Sequence, residues 1–203
     1  MIVRQIPVGP MQNFVYILGD EPSREALVVD SGWETAPIIT NLQSNGLKAK
    51  FVVATHEHYD HVSTIGELAN ALQARLVAYE SSTVEASLRV RDGDALPLGN
   101  KLIQVLHTPG HTRDSICLFD GENLFTGDTL FIGAWGRTDL PTGSAKELFR
   151  SLHEKILKLP PRTVIYPGHD YGDVPSKELG EEARSNPALL SRSVGDFLSL
   201  IQD

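Results

Sequence analysis

The sequence predicts an α+β fold, two mixed β-sheets packed face to face with helices outside, as one domain over residues 1–203. Strand-like blocks lie on both sides of helical segments, the order that stacks sheets between helices. Phe51-Val52-Val53-Ala54 is apolar at four consecutive positions, as in a strand covered on both faces. No internal repeat, low-complexity tract or linker divides the chain.

Taken in order, residues 2–8, 14–18 and 26–30 read as strands separated by Gly, Pro and Asp turns. Residues 34–45 have helical spacing and stop at Gly46, a C-terminal cap. The buried strand at 51–54 runs into a histidine-rich segment and a helix over 62–72. The middle is β-rich, with strands at 75–79, 95–98, 101–107, 115–119 and 124–125 and hairpin turns at Gly99-Asn100 and Asp120-Gly121. Residues 144–157 read as an amphipathic helix capped by Ser144, with Glu147 at the capping-box spacing. A buried strand at 163–166 and a mostly helical tail follow.

The chain is long enough to bury a sizeable core, and its 41% hydrophobic and 22% charged residues are those of a globular protein. A net charge of −8 with no basic stretch argues against nucleic-acid binding, which needs clustered Lys and Arg. No apolar run approaches the roughly 20 residues of a membrane span. The N-terminus lacks the apolar stretch of a secretory signal, so a cytoplasmic location is expected. The lone Cys117 excludes an intrachain disulfide, fits a reducing compartment, and reads as a small core hydrophobe.

The chemistry is concentrated in Thr55-His56-Glu57-His58-Tyr59-Asp60-His61, directly after the buried strand. Residues two apart point to the same side of an extended segment, whereas on a helix they diverge by about 200°. His56 and His58 therefore ask for an extended loop at a strand end. Asp60 and His61 follow where the chain turns into a helix and can face an adjacent position. Capping alone accounts for Asp60 but not for three histidines in six residues. Imidazole and carboxylate are the ligands of zinc, iron or manganese. The zincin pattern H-E-x-x-H fails, because Asp60 stands where its spacing needs otherwise. Three later strands each run into a Gly-containing turn with one ligand-type residue: Thr108-Pro109-Gly110-His111-Thr112, Gly127-Asp128-Thr129 and Tyr166-Pro167-Gly168-His169. His107 reads as a hydrogen-bonded structural residue and His153 as a solvated one on an exposed helix face.

The motifs H-x-H-x-D-H, P-G-H-T, G-D-T-L-F and Y-P-G-H, in this order, resemble the metallo-β-lactamase superfamily over nearly the whole chain. The resemblance implies the αββα sandwich with a metal site at one edge. It implies that His56, His58 and His111 line one metal position, Asp60, His61 and His169 the other, with Asp128 between them. Asp60 and Asp128 become the candidate catalytic carboxylates. Asp30 and Asp170 become residues that orient the ligands by hydrogen bonds.

Gly136-Arg137-Thr138-Asp139, the helix around Ser151-Leu152-His153-Glu154-Lys155, the ending Tyr166-Pro167-Gly168-His169-Asp170-Tyr171 and the later segment 181–187 resemble the persulfide dioxygenase branch of that superfamily. That branch implies one Fe(II) per chain on His56, His111 and Asp128, acting with O₂ on a thiol persulfide such as glutathione persulfide. The neighbouring glyoxalase II branch implies two Zn(II), or a mixed dinuclear centre, on all seven residues and a thioester substrate. That branch carries a helical C-terminal domain for which few residues remain after Tyr171. A metal-binding protein without catalysis is the remote third reading. Arg137 is the candidate contact for an anionic substrate, with an ion pair to Asp139 as its structural alternative. Tyr59 and Trp135, which depart from the dioxygenase pattern, are expected to line the pocket. The partners expected are a small persulfide or thioester, no nucleic acid, no membrane, and a second copy in a homodimer.

Overall fold

The computed structural model describes residues 1–201. One six-stranded sheet is made of β1 (Ile2–Val8), β2 (Asn13–Gly19), β3 (Glu25–Val29), β4 (Lys48–Val53), β5 (Arg75–Tyr79) and β6 (Leu88–Val90), in that order. Its first three strands are an antiparallel meander and the rest run parallel. The other contains β7 (Ala95–Leu98), β8 (Lys101–His107), β9 (Ile116–Phe119), β10 (Asn123–Gly127), β11 (Val164–Pro167) and β12 (Lys177–Glu178), side by side in sequence order. Its pairs are antiparallel except β10 with β11. Helices α1 (Ala36–Ser44), α2 (Tyr59–Val62) and α3 (Ile65–Leu72) belong to the first half. Helices α4 (Ala145–Arg150), α5 (Leu179–Ser185), α6 (Pro187–Leu190) and α7 (Val194–Ser199) belong to the second.

Side chains alternate along a strand, so each sheet feeds two cores. Phe14, Tyr16 and Leu18 of β2 enter the layer between the sheets, with Phe51 and Val53 of β4 and Val105, Leu118 and Phe125 of the second sheet. Val15, Ile17 and Val52 point the other way, against Ile38 and Leu42 of α1 and Leu68 of α3. Cys117, Leu124 and Ile165 face outward from the second sheet onto Leu148, Leu152, Leu179 and Phe197. This is the expected order of helices, two sheets and helices. Each fully buried side chain of this kind contributes about 1.5–3 kcal/mol. Cys117 is core, and burial pushes its thiol up to about 11. Among the described residues no helix is long and apolar enough to cross a membrane.

Three expectations are corrected. The helix expected over 62–72 breaks at Ser63-Thr64 into α2 and α3. The reason is a competing set of hydrogen bonds: Thr64 N and Oγ1 both donate to Ser31 O, at 3.2 and 3.0 Å, and Ser63 Oγ donates to Gly32 O. The helix expected over 144–157 keeps its Ser144 cap on Glu147 N (3.3 Å), but after α4 it widens into a π turn, Ser151–Lys155, and ends in a 3₁₀ turn, Ile156–Lys158. Glu147 itself pairs with Arg150 (2.9 Å) rather than closing the capping box. His153, expected to be solvated, is half-buried. It stacks on Phe149 at 4.2 Å, and its Nε2 lies 3.1 Å from Ala188 O in α6. The short strands β6 and β12 had no periodic signal to reveal them.

Candidate metal centre

The loops leaving β3, β4, β8, β10 and β11 meet at one edge of the sandwich and bring the seven ligand-type residues together. After β4 the chain stays extended through His58 (φ −68°, ψ 141°) before α2 starts. The rings of His56 and His58 accordingly lie on one side, 4.8 Å apart. Gly127, at φ +47°, makes the bend that presents Asp128, a conformation that favours glycine. Gly168 serves differently. A Cβ there would stand 2.4 Å from Asp128 Oδ1, so only glycine lets the β11 loop close over Asp128.

Three groups of ligand atoms converge: His56, His58 and His111; Asp60, His61 and His169; and His56, His61 and Asp128. His111 Nε2 lies 2.9 Å from His58 Nδ1 and 3.5 Å from Asp128 Oδ2. On the other side, Asp60 Oδ2 is 3.4 Å from both His61 Nε2 and His169 Nε2, which are 3.1 Å apart. Asp128 spans the two, with Oδ1 3.3 Å from His61 Nε2 and Oδ2 3.3 Å from His169 Nε2. Tetrahedral ligand atoms at roughly 2.1 Å from a cation stand about 3.4 Å apart, so these spacings fit a small metal ion.

The far side of each ring supports the same fit. His111 Nδ1 lies 2.7 Å from Arg137 O and His169 Nδ1 2.8 Å from Met11 O. A carbonyl only accepts, so both Nδ1 atoms carry the proton and both Nε2 atoms turn a lone pair, or a second proton, inward. His61 Nδ1 donates to Asp30 Oδ2 at 2.9 Å. His56 Nε2 and Asp128 Oδ1 are buried and without a hydrogen-bond partner among the described residues. Orphaned buried polar atoms aimed into a cluster of ligand types are what a metal would satisfy.

Charge divides the cluster. Burial lowers His56 and His111 well below and below the ordinary histidine value. Burial also acts to lower His61 and His169, but Asp128, joined by Asp30 for His61 and by Asp60 for His169, outweighs it. His61 is raised well above the ordinary value and His169 is raised to about 9. The carboxyls of Asp60 and Asp128, despite burial, are held below the carboxylate range by these imidazoles.

Asp30 ends β3 in the left-handed region (φ +61°), where aspartate is tolerated better than most residues. Its Oδ1 accepts from Thr55 N (2.8 Å) and its Oδ2 from Thr55 Oγ1 (2.9 Å) as well as from His61. The carboxylate thus ties the ligand loop to the sheet. Asp170 does not take the orienting role expected for it. It is exposed and lines a separate surface hollow with Gly9 and Glu34, and the Met11 carbonyl engages His169 instead. Tyr59, Trp135 and Arg137 all line the cavity over the metal centre. Arg137 makes the ion pair with Asp139, at 2.7 Å. His107 is structural, stacked 4.0 Å from Tyr79 with Nε2 2.9 Å from Arg113 O.

Asn13 escaped sequence reasoning. Its buried Nδ2 donates to Asp60 Oδ2 (2.9 Å), while its Oδ1 accepts from Trp33 Nε1 (2.8 Å), which fixes the amide orientation. A lone polar residue opening the apolar run of β2 was the only signal, and it does not say what the side chain touches.

A family model described as the metallo-beta-lactamase superfamily matches residues 8–169. The human protein "Persulfide dioxygenase ETHE1, mitochondrial" is 38% identical over 99% of this chain and 80% of its own length. The Bacillus subtilis "Probable polyketide biosynthesis zinc-dependent hydrolase PksB" is 33% identical over 86% of this chain and 80% of its own. Among solved structures, ETHE1 from Myxococcus xanthus superposes with a TM-score of 0.91 at 35% identity, covering 100% of this chain and 91% of that one.

Proposed function

The chain belongs to the metallo-β-lactamase superfamily, and on that premise we propose that it is an iron-dependent persulfide dioxygenase acting on a low-molecular-weight thiol persulfide. The observation that carries this reading is the likeness, over 99% of this chain, to the human protein that bears the name persulfide dioxygenase, beside the superposition on ETHE1 from Myxococcus xanthus. The overall reaction is RSSH + O₂ + H₂O → RSH + SO₃²⁻ + 2H⁺. The outer sulfur gives four electrons to O₂, and the inner sulfur leaves as the thiol.

In this reading His56, His111 and Asp128 would hold one Fe(II), Asp60, His61 and His169 would remain a cluster of close polar contacts beside it, and His58 would border it. Fe(II) held by two imidazoles and one carboxylate would supply the non-haem chemistry that joins a persulfide sulfur with O₂. The chain's own contribution is positional. Carbonyls at Met11 and Arg137 and the Asp30 carboxylate aim the imidazoles inward. Tyr59 and Trp135 border the cavity. Apart from the metal-centre residues, Arg137 is the one cation that lines it among the described residues. A cytoplasmic location is part of this reading, and the free, buried Cys117 accords with a reducing compartment of that kind.

A second reading, a dinuclear zinc hydrolase cleaving a thioester, has one observation in its favour. Asp60, His61, His169 and Asp128 keep ligand-like spacings of 3.1–3.4 Å, ready for a second ion. Metal analysis, O₂ uptake with glutathione persulfide and hydrolysis of S-lactoylglutathione separate the two. About one iron per chain with O₂ consumption and sulfite release is expected. Two zinc ions, no O₂ uptake and thioester cleavage would overturn the dioxygenase in favour of the hydrolase.

A further inference from the structure

The cavity over the metal centre, about 490 Å³, is walled chiefly by Met11, Tyr59, Phe131, Trp135, Leu140 and Tyr171. Apart from the metal-centre residues, Arg137 is the one charged group on this wall among the described residues. Its guanidinium is already engaged: Nε and Nη2 each donate to Asp139 at 2.7 Å. Tyr171 stacks on His169 at 4.6 Å and meets Phe131 edge-on at 5.4 Å, so the apolar wall reaches the metal centre. Met11, Tyr59 and Tyr171 are large and exposed around the mouth. Clustered exposed apolar groups mark a surface that a ligand covers.

The C-terminal segment builds this wall from behind. Glu182 and Asn186 are fully buried. Glu182 Oε2 accepts from Gly133 N (2.8 Å) and from Asn186 Nδ2 (3.0 Å). Asn186 Nδ2 also reaches Ala134 O at 3.0 Å and Phe131 O at 3.3 Å. Lys177 lies 3.1 Å from the other Glu182 oxygen. A buried carboxylate is costly unless paired and hydrogen-bonded, and here its partners are Lys177, Asn186 and the Gly133 N–H of the loop that carries Phe131, Ala134 and Trp135. Phe197 of α7, with no exposed surface, backs Trp135 at 5.5 Å.

We propose that this cleft selects persulfides of apolar, weakly charged thiols, and that Glu182, Asn186 and Phe197 are positioning residues that set its wall. The inference rests on the persulfide dioxygenase reading and refines its substrate. Glutathione brings two carboxylates and an ammonium, and the wall offers them one guanidinium that Asp139 already holds. An aryl or alkyl thiol leaves no charge without a partner.

The test compares benzyl persulfide with glutathione persulfide by O₂ uptake on the iron-loaded protein, and benzyl thiol with glutathione by quenching of tryptophan fluorescence. At least about tenfold preference for the benzyl compound is expected in both assays, the scale of discrimination by apolar pockets. Equal or better binding and turnover of the glutathione compound overturns the inference. No O₂ uptake with either persulfide overturns the dioxygenase reading, and the binding assay still decides what the cleft prefers. Phe197→Ala is expected to raise KM for benzyl persulfide about tenfold with kcat and iron content kept, and Phe197→Leu to recover most of it. A parallel loss of kcat and iron makes Phe197 a fold residue and overturns its positioning role. Should Phe197→Ala not fold, Trp135→Ala carries the same expectation for KM, and an unchanged KM there overturns the wall.

Discussion

His56 and His111 on one side of Asp128, and His61 and His169 on the other, are four buried imidazoles of one cluster lying in opposite fields. The first pair has few carboxylate neighbours, and burial drives it neutral. The second faces Asp128 with Asp30 or Asp60 and is driven cationic. A metal ion arriving at the first position finds lone pairs waiting. At the second it must displace protons that two carboxylates already compensate, because bound metal and ligand protons compete. Two sites of similar residue type thus differ in their fields, a difference that accords with the proposed single ion on His56, His111 and Asp128.

The largest effect expected comes from breaking each side in turn. His111→Ala removes iron and O₂ uptake together, while His169→Ala keeps about one iron per chain and most of the O₂ uptake. Loss of iron in both variants, measured by metal analysis, would make the two positions interdependent and sink the comparison. Next is Asp30→Ala, which strips Thr55 and His61 of a buried acceptor and leaves alanine at a positive φ. A loss of about 2–4 kcal/mol in unfolding free energy is expected by denaturant titration.

The pH dependence follows from His169. Its folded value of about 9 exceeds the ordinary 6.5, so its pairing stabilises the metal-free protein fully below about pH 6.5 and is lost as pH rises through 9. By the same linkage displacement of the His169 proton alone makes the second zinc ion bind on the order of a hundredfold more tightly at pH 8.5 than at 6.5, and the first hardly changes. Zinc titrations at the two pH values check this, and equal slopes for both ions would erase the asymmetry. Asn13→Ala, which frees Asp60 Oδ2, is expected to weaken that second ion about 10- to 100-fold without touching the first. Smallest is His153→Ala. It loses the stack on Phe149 and the bond to Ala188, costing about 1 kcal/mol of stability and leaving metal content unchanged.

What can be read from residue order alone follows from local geometry. A two-residue spacing in an extended loop puts His56 and His58 on one side whatever the rest of the chain does. A strand running into a glycine turn presents His111, Asp128 and His169 in the same way, and continuous apolar runs announce strands covered twice. Those are properties of a few neighbouring residues, and they were legible. The helix break at Ser63-Thr64, the anchoring of His153, the amide of Asn13 on Asp60 and the grip of Glu182 and Asn186 on the loop at 131–134 were not. Each joins segments between 30 and about 50 residues apart, and side chains of that type fit a surface as well as a core until a partner is in place. The convergence of the candidate ligands therefore belongs to the sequence. The charge on each half of it, and the wall above it, were decided by which distant carboxylates and amides the tertiary structure brought within about 3 Å, where burial makes such contacts count most.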